Sequence, residues 1–311
     1  MHDSPLGLDA ASQDLCQSLR QRTPPVPSDT LFRGDIFETT CAKLHGKNEP
    51  RVVQDIGRLI VPSAETLATF GEKHLDILVE SVDEEWNNSI PLTHPHPQPD
   101  YSVGFKRGAF TEDQLAKLAP YIGNFFAGDQ PYFMATYYMY FPFLTCEVKS
   151  SSTVLDVADR QNAHSMTLAV RGIVHLFHLA KREHEVNRQI LGFSVSHDHR
   201  SVRIYGHYPE IVGQDTKYYR HLIHDFSFTP PNGENKWIAY RFTRNVYDTW
   251  VAEHFKRICS AIDQIPSDPS ELNLDVSSPL VTTGISQQAG SMEGTEAPSG
   301  AYQVRTDYLE E

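Results

Sequence analysis

The run of residues 137–149, YYMYFPFLTCEVK, limits the possible folds more than any other feature of this sequence. Its apolar side chains occupy odd and even positions alike over most of the run, so a strand here would be buried on both faces. A strand of this kind requires a sheet with helices packed on both sides. Pro142 has no amide proton to donate and therefore predicts a bulge or irregular pairing within the strand.

The residues before this strand predict two helices and one strand. Apolar residues at helical spacing predict a helix from a Ser63 N-cap to about residue 86. Alternation over residues 101–105 predicts a half-buried strand. Thr111 and Gln114 have the spacing of a capping box and predict a further helix, which we interpret as an insertion on the core.

The residues after the strand continue the alternation of helices and strands. The predicted elements are a long helix at 154–187, an antiparallel hairpin of strands at 190–196 and 202–208, a strand at 236–242 and a closing helix at 246–262. Together these elements predict an α/β (α+β) domain over residues 31–265, in which helices flank a central mixed sheet.

Both ends of the chain differ in composition from this central part. Residues 1–30 are rich in Ser, Gln and Pro, and residues 266–311 hold eight acidic residues and one arginine with few large apolar groups. We expect both ends to be disordered tails. The formal net charge of −13 argues against a general polyanion binder, but much of it lies in the acidic C-terminal tail, so lysines and arginines are free to cluster in the central part.

Several classes of protein lack support in the sequence. No signal-peptide pattern and no apolar run of membrane-spanning length is visible, so we expect an intracellular protein, cytoplasmic or nuclear, without a membrane partner. The four cysteines are far apart and form no C-x-x-C pair, which indicates a reducing compartment and no structural metal. A phosphate-binding glycine loop and a G-x-S-x-G motif are also missing, which argues against ATP hydrolysis and serine-esterase chemistry.

The end of the apolar strand carries the chemistry that the sequence suggests. Glu147 and Lys149 have the same parity and therefore share a face of the strand. Asp100, at the start of the preceding strand, would add a second carboxylate and complete an oxygen-rich site of the kind that Mg²⁺ prefers. Such an ion activates water and neutralises charge on a phosphate, and Lys149 would orient or deprotonate the water or stabilise the phosphorane.

These residues resemble the motif of the PD-(D/E)XK nuclease superfamily, with Pro99-Asp100 as its first half and Glu147-Val148-Lys149 as its second. The resemblance implies a restriction-endonuclease-like core and a Mg²⁺- or Mn²⁺-dependent nuclease. It also implies a helix glutamine, for which Gln161 has the right place, although Ser165 stands where some members have tyrosine. A glutamate on the preceding helix would be a further metal ligand, and the candidates are Glu80, Glu84 and Glu85, of which we favour Glu84.

A second resemblance covers roughly residues 50–262. The segments RVVQDIGRLIVPSAE, PFLTCEVKS, ADRQNAHSM, VRIYGHYP and NVYDTW are similar to a family of uncharacterised domains from filamentous fungi.

Other interpretations of these residues remain open. The pattern [DE]-x-K occurs three times, at Glu147, Asp215 and Glu234, and the Glu147 copy would also fit a simple ion pair at a strand end. His197, His199 and His207 suggest a metal ligand or base, although histidines in a turn are usually solvated. Basic residues that would contact a phosphate backbone are Arg160, His164 and Arg203, with Tyr205, Tyr208, Tyr218 and Tyr219 available for base stacking.

The sequence thus predicts a metal-dependent phosphodiester hydrolase that acts on nucleic acid, DNA or RNA. The alternatives are an inactive nuclease-fold module that binds nucleic acid or protein, and an accessory protein of a fungal pathway. The sequence does not fix the oligomeric state.

Overall fold

The computed structural model describes residues 3–122, 132–229 and 233–266, which are built around one six-stranded sheet. The strands lie in the sheet in the same order as in the chain. They are β1 (Leu78–Ser81), β2 (Tyr101–Lys106), β3 (Met139–Val148), β4 (Gly192–His197), β5 (Ser201–Val212) and β6 (Asp215–Ser227).

The sheet is mixed, as predicted. Strands β1, β2 and β3 pair antiparallel, β3 and β4 pair parallel, and β4, β5 and β6 again pair antiparallel. The parallel pair requires a crossover connection, which the 25-residue helix α7 (Leu155–Leu179) supplies. The α+β class with helices around a mixed sheet is therefore confirmed.

The helices lie before, between and after the strands. They are α1 (Ala10–Gln21), α2 (Phe37–Leu44), α3 (Glu49–Val52), α4 (Arg58–Ile60), α5 (Ala64–Thr69), α6 (Glu112–Ile122), α7 (Leu155–Leu179), α8 (Ile238–Asn245) and α9 (Val251–Asp263). A π-helical turn joins α3 to α4 (Val53–Gly57), and another joins α8 to α9 (Val246–Trp250).

Strand β3 is buried along its whole length, as its apolar sequence predicted. Its pairing with β2 is irregular, because Val103 pairs with Leu144 whereas Phe105 pairs with Tyr140. The extra residues of β3 lie around Pro142, where the irregularity was predicted.

The two faces of the sheet are covered by different helices. On one face, Phe105 packs against Phe255 of α9 with ring centroids 4.8 Å apart, and Phe193 packs against Trp250 at 5.0 Å. On the other face, α7 lies over β3 and β4, and the polar side chain of Asn162 bonds to both strands. The apolar core therefore lies mainly on the α8–α9 face, whereas the α7 face contains a buried polar layer.

The helix predicted from Ser63 to about residue 86 is wrong beyond its first turns. Ser63 does cap a helix, since its Oγ accepts a hydrogen bond from the Thr66 amide, but α5 ends at Thr69. Gly71 follows with φ +116°, a value that suits glycine and ends the helix. The sequence predicted one long helix because the apolar residues keep a helical spacing up to β1. These residues, such as the buried Leu75 and Leu78, in fact belong to separate short elements.

The predictions near the C-terminal end need two further corrections. The strand predicted at 236–242 is helix α8, whose buried side chains include Ala239 and Phe242. Strand β6 was not predicted, because its largely polar sequence DTKYYRHLIHDFS belongs to a half-exposed strand at the edge of the sheet.

The long helix α7 also ends earlier than predicted, and Lys181 follows it with φ +57°.

The prediction of a disordered N-terminal segment is wrong for the described residues 3–30. Asp9 caps α1 by accepting a hydrogen bond from the Ser12 amide, and Leu19 of this helix is buried. The Asn245 amide of α8 donates hydrogen bonds to the Leu19 and Arg22 carbonyls and anchors the end of α1. The predicted C-terminal tail lies outside the described residues from position 267 onward. In the described part of the chain, no helix is long and apolar enough to cross a membrane.

Candidate active site

Asp100 and Glu147 lie opposite each other at the adjoining ends of β2 and β3. The antiparallel register pairs Tyr101 with Cys146 and Ser102 with Thr145, and one more step along both strands sets Asp100 across from Glu147. Directly opposite residues share a face of the sheet and have Cβ atoms about 5 Å apart. The fold therefore brings together two acids that are distant in the sequence.

Asp100 is fixed by the backbone of the neighbouring strand. Its Oδ2 accepts a hydrogen bond of 2.7 Å from the Val148 amide. Burial raises the pKa of Asp100, and this effect outweighs the Val148 hydrogen bond and the attraction of Lys149, both of which lower it. The Oδ1 atom has no hydrogen bond to another described residue and is available to a ligand.

Glu147 is the most perturbed acid of the site. It is 2% exposed, and its nearest cation is the Lys149 ammonium, with Nζ 3.7 Å from Oε2. Burial raises the pKa of Glu147 to about 8, with the negative charge of Asp100 as the next cause, although Lys149 acts in the opposite direction. The carboxyl group is therefore mostly protonated at neutral pH, and an added cation would favour its ionised form.

Lys149 contacts a third acid that the sequence did not suggest. Its Nζ lies 3.7 Å from Oε2 of Glu49, the first residue of α3. The N-cap Asn48 and the following Glu-Pro pair do indicate a helix start in the sequence, since Pro favours the first turn. Only the packing of this helix start against the ends of β2 and β3 reveals that Glu49 belongs to the site.

The arrangement can hold a hard divalent cation. Mg²⁺ is commonly bound by one or two carboxylates and several waters, so Asp100 and Glu147 together offer a sufficient set of protein ligands. Glu49 is too far from these two acids to be a third ligand of the same ion. In the described part of the chain, one group of three such residues has its ligand atoms within 4.8 Å of one another, and it does not include Glu49, Asp100 or Glu147. The ammonium of Lys149 lies beside the two acids, where it would contact a bound anion.

The comparisons with known proteins give a family. A family model described as "Domain of unknown function (DUF7924)" matches residues 36–262, which is more than half of the chain. The chain belongs to this DUF7924 family. No curated protein and no solved structure matches the chain. All the residues of the site described above lie within the DUF7924 domain.

The glutamates predicted as a further metal ligand do not reach the site of this DUF7924 domain. Glu80 lies on β1, where it accepts hydrogen bonds from Ser63 and from Tyr101. Glu84 is exposed in the irregular segment after β1, and Glu85 is also exposed there. The predicted helix ends at Thr69, before it reaches any of these glutamates, and Glu49 at the start of α3 contacts Lys149.

Gln161 is also not brought into the site. It is exposed on α7, whereas the next residue, Asn162, is fully buried and faces the sheet. The Asn162 amide donates to the Val195 carbonyl and to Ser196 Oγ, both at 3.0 Å, and its oxygen accepts from Thr145 Oγ1 at 2.6 Å. A shift of one residue on a helix rotates a side chain by about 100°, so Asn162 faces the sheet while Gln161 is exposed to solvent.

The three residues predicted to contact a phosphate backbone have different surroundings. Arg203 of β5 makes ion pairs with Asp156, Asp159 and Asp225. Arg160 is exposed on α7. His164 is half-buried, and burial, followed by the charge of Arg171, lowers its pKa. Arg203 is therefore already neutralised by acids of the protein.

The histidines of the β4–β5 hairpin are buried, which corrects the interpretation of a solvated turn. His207 bonds through Nε2 to Ser194 Oγ at 2.8 Å, and burial lowers its pKa to about 3. His197 pairs with Val148 in the parallel register, which places its ring on the face opposite to Glu147. Neither histidine is thus part of the Asp100–Glu147 site.

Proposed function

We propose that this DUF7924 domain is a metal-dependent phosphodiester hydrolase that acts on nucleic acid. Asp100 and Glu147 would bind Mg²⁺ or Mn²⁺, and Lys149 would contact the scissile phosphate. The observation that carries the proposal is the half-buried Asp100 set across from the buried Glu147 at the ends of β2 and β3, with the Lys149 ammonium 3.7 Å from the Glu147 carboxylate. Buried acids with raised pKa values are typical of catalytic and metal-binding positions.

The order of elements supports the same proposal. Helices α1 to α5 precede β1 and β2, α6, predicted as an insertion, lies between β2 and β3, and α7 leads from β3 to β4. This is the order that the resemblance to the PD-(D/E)XK superfamily implies. Asp100 directly precedes β2, and Glu147 stands near the end of β3, so the two halves of the motif meet at one end of the sheet.

The residues of the chain would have distinct tasks in such a reaction. A bound Mg²⁺ or Mn²⁺ would supply Lewis-acid activation of the phosphate and of a water molecule. Glu147 would give up its proton to serve as a charged ligand, and the Val148 amide holds Asp100 in the orientation in which Oδ1 is free. Lys149 places a positive charge where negative charge develops on the phosphate, and its buried position strengthens that interaction.

Cleavage of labelled DNA and RNA, single- and double-stranded, in the presence of Mn²⁺ tests this proposal. Glu147→Gln should lower the cleavage rate at least about 100-fold, because it removes a charged ligand and keeps the shape of the side chain. Glu234→Gln is the matched control, since Glu234 is an exposed acid in another [DE]-x-K segment. Equal cleavage by both variants and the unchanged protein would exclude Glu147 as the active acid.

A second candidate function is an inactive module of the same fold that binds nucleic acid or protein. The observation that favours it is the threefold pairing of Arg203 with acids, which removes a predicted contact to phosphate. Calorimetric titration with Mn²⁺ at pH 7 in buffers of different ionisation enthalpy distinguishes the two candidates. The hydrolase should release about one proton per ion, because Glu147 has a pKa of about 8, and Glu147→Gln should abolish this release. An inactive module should give no binding that depends on Asp100 or Glu147.

A further inference from the structure

A second group of metal-ligating side chains lies outside the candidate active site. Glu72, His74 and Asp248 each offer one ligand atom, and these atoms all lie within 4.8 Å of one another. The His74 ring stands between the two acids, with Nε2 3.0 Å from Asp248 Oδ1 and Nδ1 3.8 Å from Glu72 Oε2. The group joins the segment before β1 to the π-helical turn between α8 and α9.

The other oxygen of each carboxylate is held by one buried arginine. Arg244, which is 8% exposed, places Nη2 3.1 Å from Glu72 Oε1 and 3.2 Å from Asp248 Oδ2. The Arg244 guanidinium therefore fixes one oxygen of each carboxylate, and the other oxygen of each faces the His74 imidazole. Hydrogen bonds of this kind to the outer atoms of carboxylate ligands are a recurring feature of metal sites, where they fix the ligands in place.

The donor set selects a class of metal ion. An imidazole nitrogen with two carboxylate oxygens suits Zn²⁺ and neighbouring transition metals, whereas Mg²⁺ prefers oxygen ligands alone. Tetrahedral coordination with bonds of about 2.0 Å needs ligand atoms about 3.3 Å apart, so small rotations of the partly exposed Glu72 and His74 would close the site. Three protein ligands leave a fourth position for water.

We propose that Glu72, His74 and Asp248 form a Zn²⁺ site, in which Arg244 orients the two carboxylates. The site is separate from the Asp100–Glu147 pair in residues and in metal preference. The bound ion clamps the segment before β1 to the α8–α9 unit, two parts of the chain that are far apart in sequence. Zn²⁺ binding therefore stabilises the folded protein, since the unfolded chain does not keep these ligands together.

Titration of the full chain with ZnCl₂, followed by calorimetry and by thermal unfolding, tests the proposal. We expect one Zn²⁺ per chain and a rise in Tm. His74→Ala and Glu72→Gln should each weaken Zn²⁺ binding at least about tenfold and remove most of the Tm rise. Both residues are well exposed, so both variants should fold, which circular dichroism checks. His178→Ala is the matched control, because His178 is an equally exposed histidine that pairs with one acid, Glu183, and not with two.

The outcomes separate this site from the proposed hydrolase. Glu147→Gln should keep Zn²⁺ binding at the His74 site, and His74→Ala should keep Mn²⁺-dependent cleavage. Equal Zn²⁺ affinity in His74→Ala and in the unchanged protein would overturn the proposal. Absence of stoichiometric Zn²⁺ binding would do the same and would leave the group as a closed ring of ion pairs. Absence of nuclease activity in the unchanged protein would contradict the proposed hydrolase alone, because Zn²⁺ binding at the His74 site does not depend on that activity.

Discussion

Two ionic clusters lie on the α7 face of the sheet in one row across the strands, and they differ in how closely the cation contacts its acids and in how deeply the acids are buried. The row runs from Asp100 and Glu147 through Ser196 to Arg203 and Asp225, each paired with the next in the strand register or by its continuation. In the first, the Glu147 cluster, Lys149 Nζ lies 3.7 Å from the buried Glu147 and from Glu49, and its charge also acts on Asp100. In the second, the Arg203 cluster, the guanidinium lies 2.7 Å from Asp156, 2.8 Å from the buried Asp159 and 3.3 Å from Asp225.

The pKa shifts show what this difference means. Burial lowers the pKa of Arg203, but hydrogen bonds to Asp156 and Asp159 outweigh burial and raise it above its ordinary value. The charged forms are therefore favoured in the Arg203 cluster. In the Glu147 cluster, burial and the neighbouring acid raise the pKa of Glu147 to about 8, so its charged form is disfavoured until a cation arrives. Close ion pairs are typical of structural roles, and a buried acid with a raised pKa is typical of a binding site.

The largest effect should come from breaking the Arg203 cluster. Arg203→Met removes an ion pair of 2.8 Å from Asp159, which is 3% exposed and keeps the hydrogen bond from Tyr205. We expect the free energy of unfolding to fall by about 3 kcal/mol, because a buried charge loses its counter-ion. Urea denaturation measures the change, and Arg160→Met, an exposed arginine on α7, serves as the control. A loss no larger than that of the control would mean that the Arg203 cluster is a solvated ion pair.

A smaller loss should follow from removing the side chain that lies between the two clusters. Asn162→Ala deletes three hydrogen bonds and leaves the buried Thr145 and Ser196 hydroxyls without the amide that joins them. We expect a destabilisation of about 2 kcal/mol in thermal or urea unfolding. Because Ser196 is the register partner of Glu147, Mn²⁺ binding should also weaken in this variant. Unchanged stability would show that water replaces the amide at no net cost.

The Glu147 cluster should respond to pH. The folded-state pKa of Glu147 is about 8 against an ordinary 4.5, so the folded form binds the proton more tightly than the unfolded form. The contribution of Glu147 to stability is therefore present below pH 4.5 and is lost as pH rises to 8. Glu147→Gln stays neutral, so its free energy of unfolding should fall less over this window than that of the unchanged protein. Denaturation at pH 5, 6.5 and 8 measures this, with Glu234→Gln as control, and parallel pH curves would contradict it.

The smallest effect should come from the neighbour of Asn162 on the same helix. Gln161 is exposed, so Gln161→Ala should change the free energy of unfolding by less than about 0.5 kcal/mol. It should also leave any Mn²⁺-dependent cleavage within about twofold of the unchanged rate, because no hydrogen bond joins Gln161 to the described site residues. A large loss of cleavage would instead place Gln161 in contact with substrate.

The elements that the sequence predicted are those whose pattern is strong and local. The apolar β3, the β4–β5 hairpin and the Thr111–Gln114 capping box, whose two hydrogen bonds are 3.1 and 3.2 Å, all follow from residues close together in the chain. The elements that it missed or assigned to the wrong class include β6 and α1, which are polar over much of their surface. Their order depends on neighbours such as β5 and α8, which lie far away in sequence.

For the candidate active site, the sequence by itself determined that Glu147 and Lys149 share a face at the end of a buried strand, because strand parity fixes side-chain direction. The tertiary structure alone decided that Asp100 lies across from Glu147, that Glu49 joins Lys149, and that Asn162 rather than Gln161 faces the sheet. These contacts depend on strand register and helix rotation, which are set by packing over long sequence separations. The raised pKa of Glu147 has the same origin, since burial is a property of the folded chain.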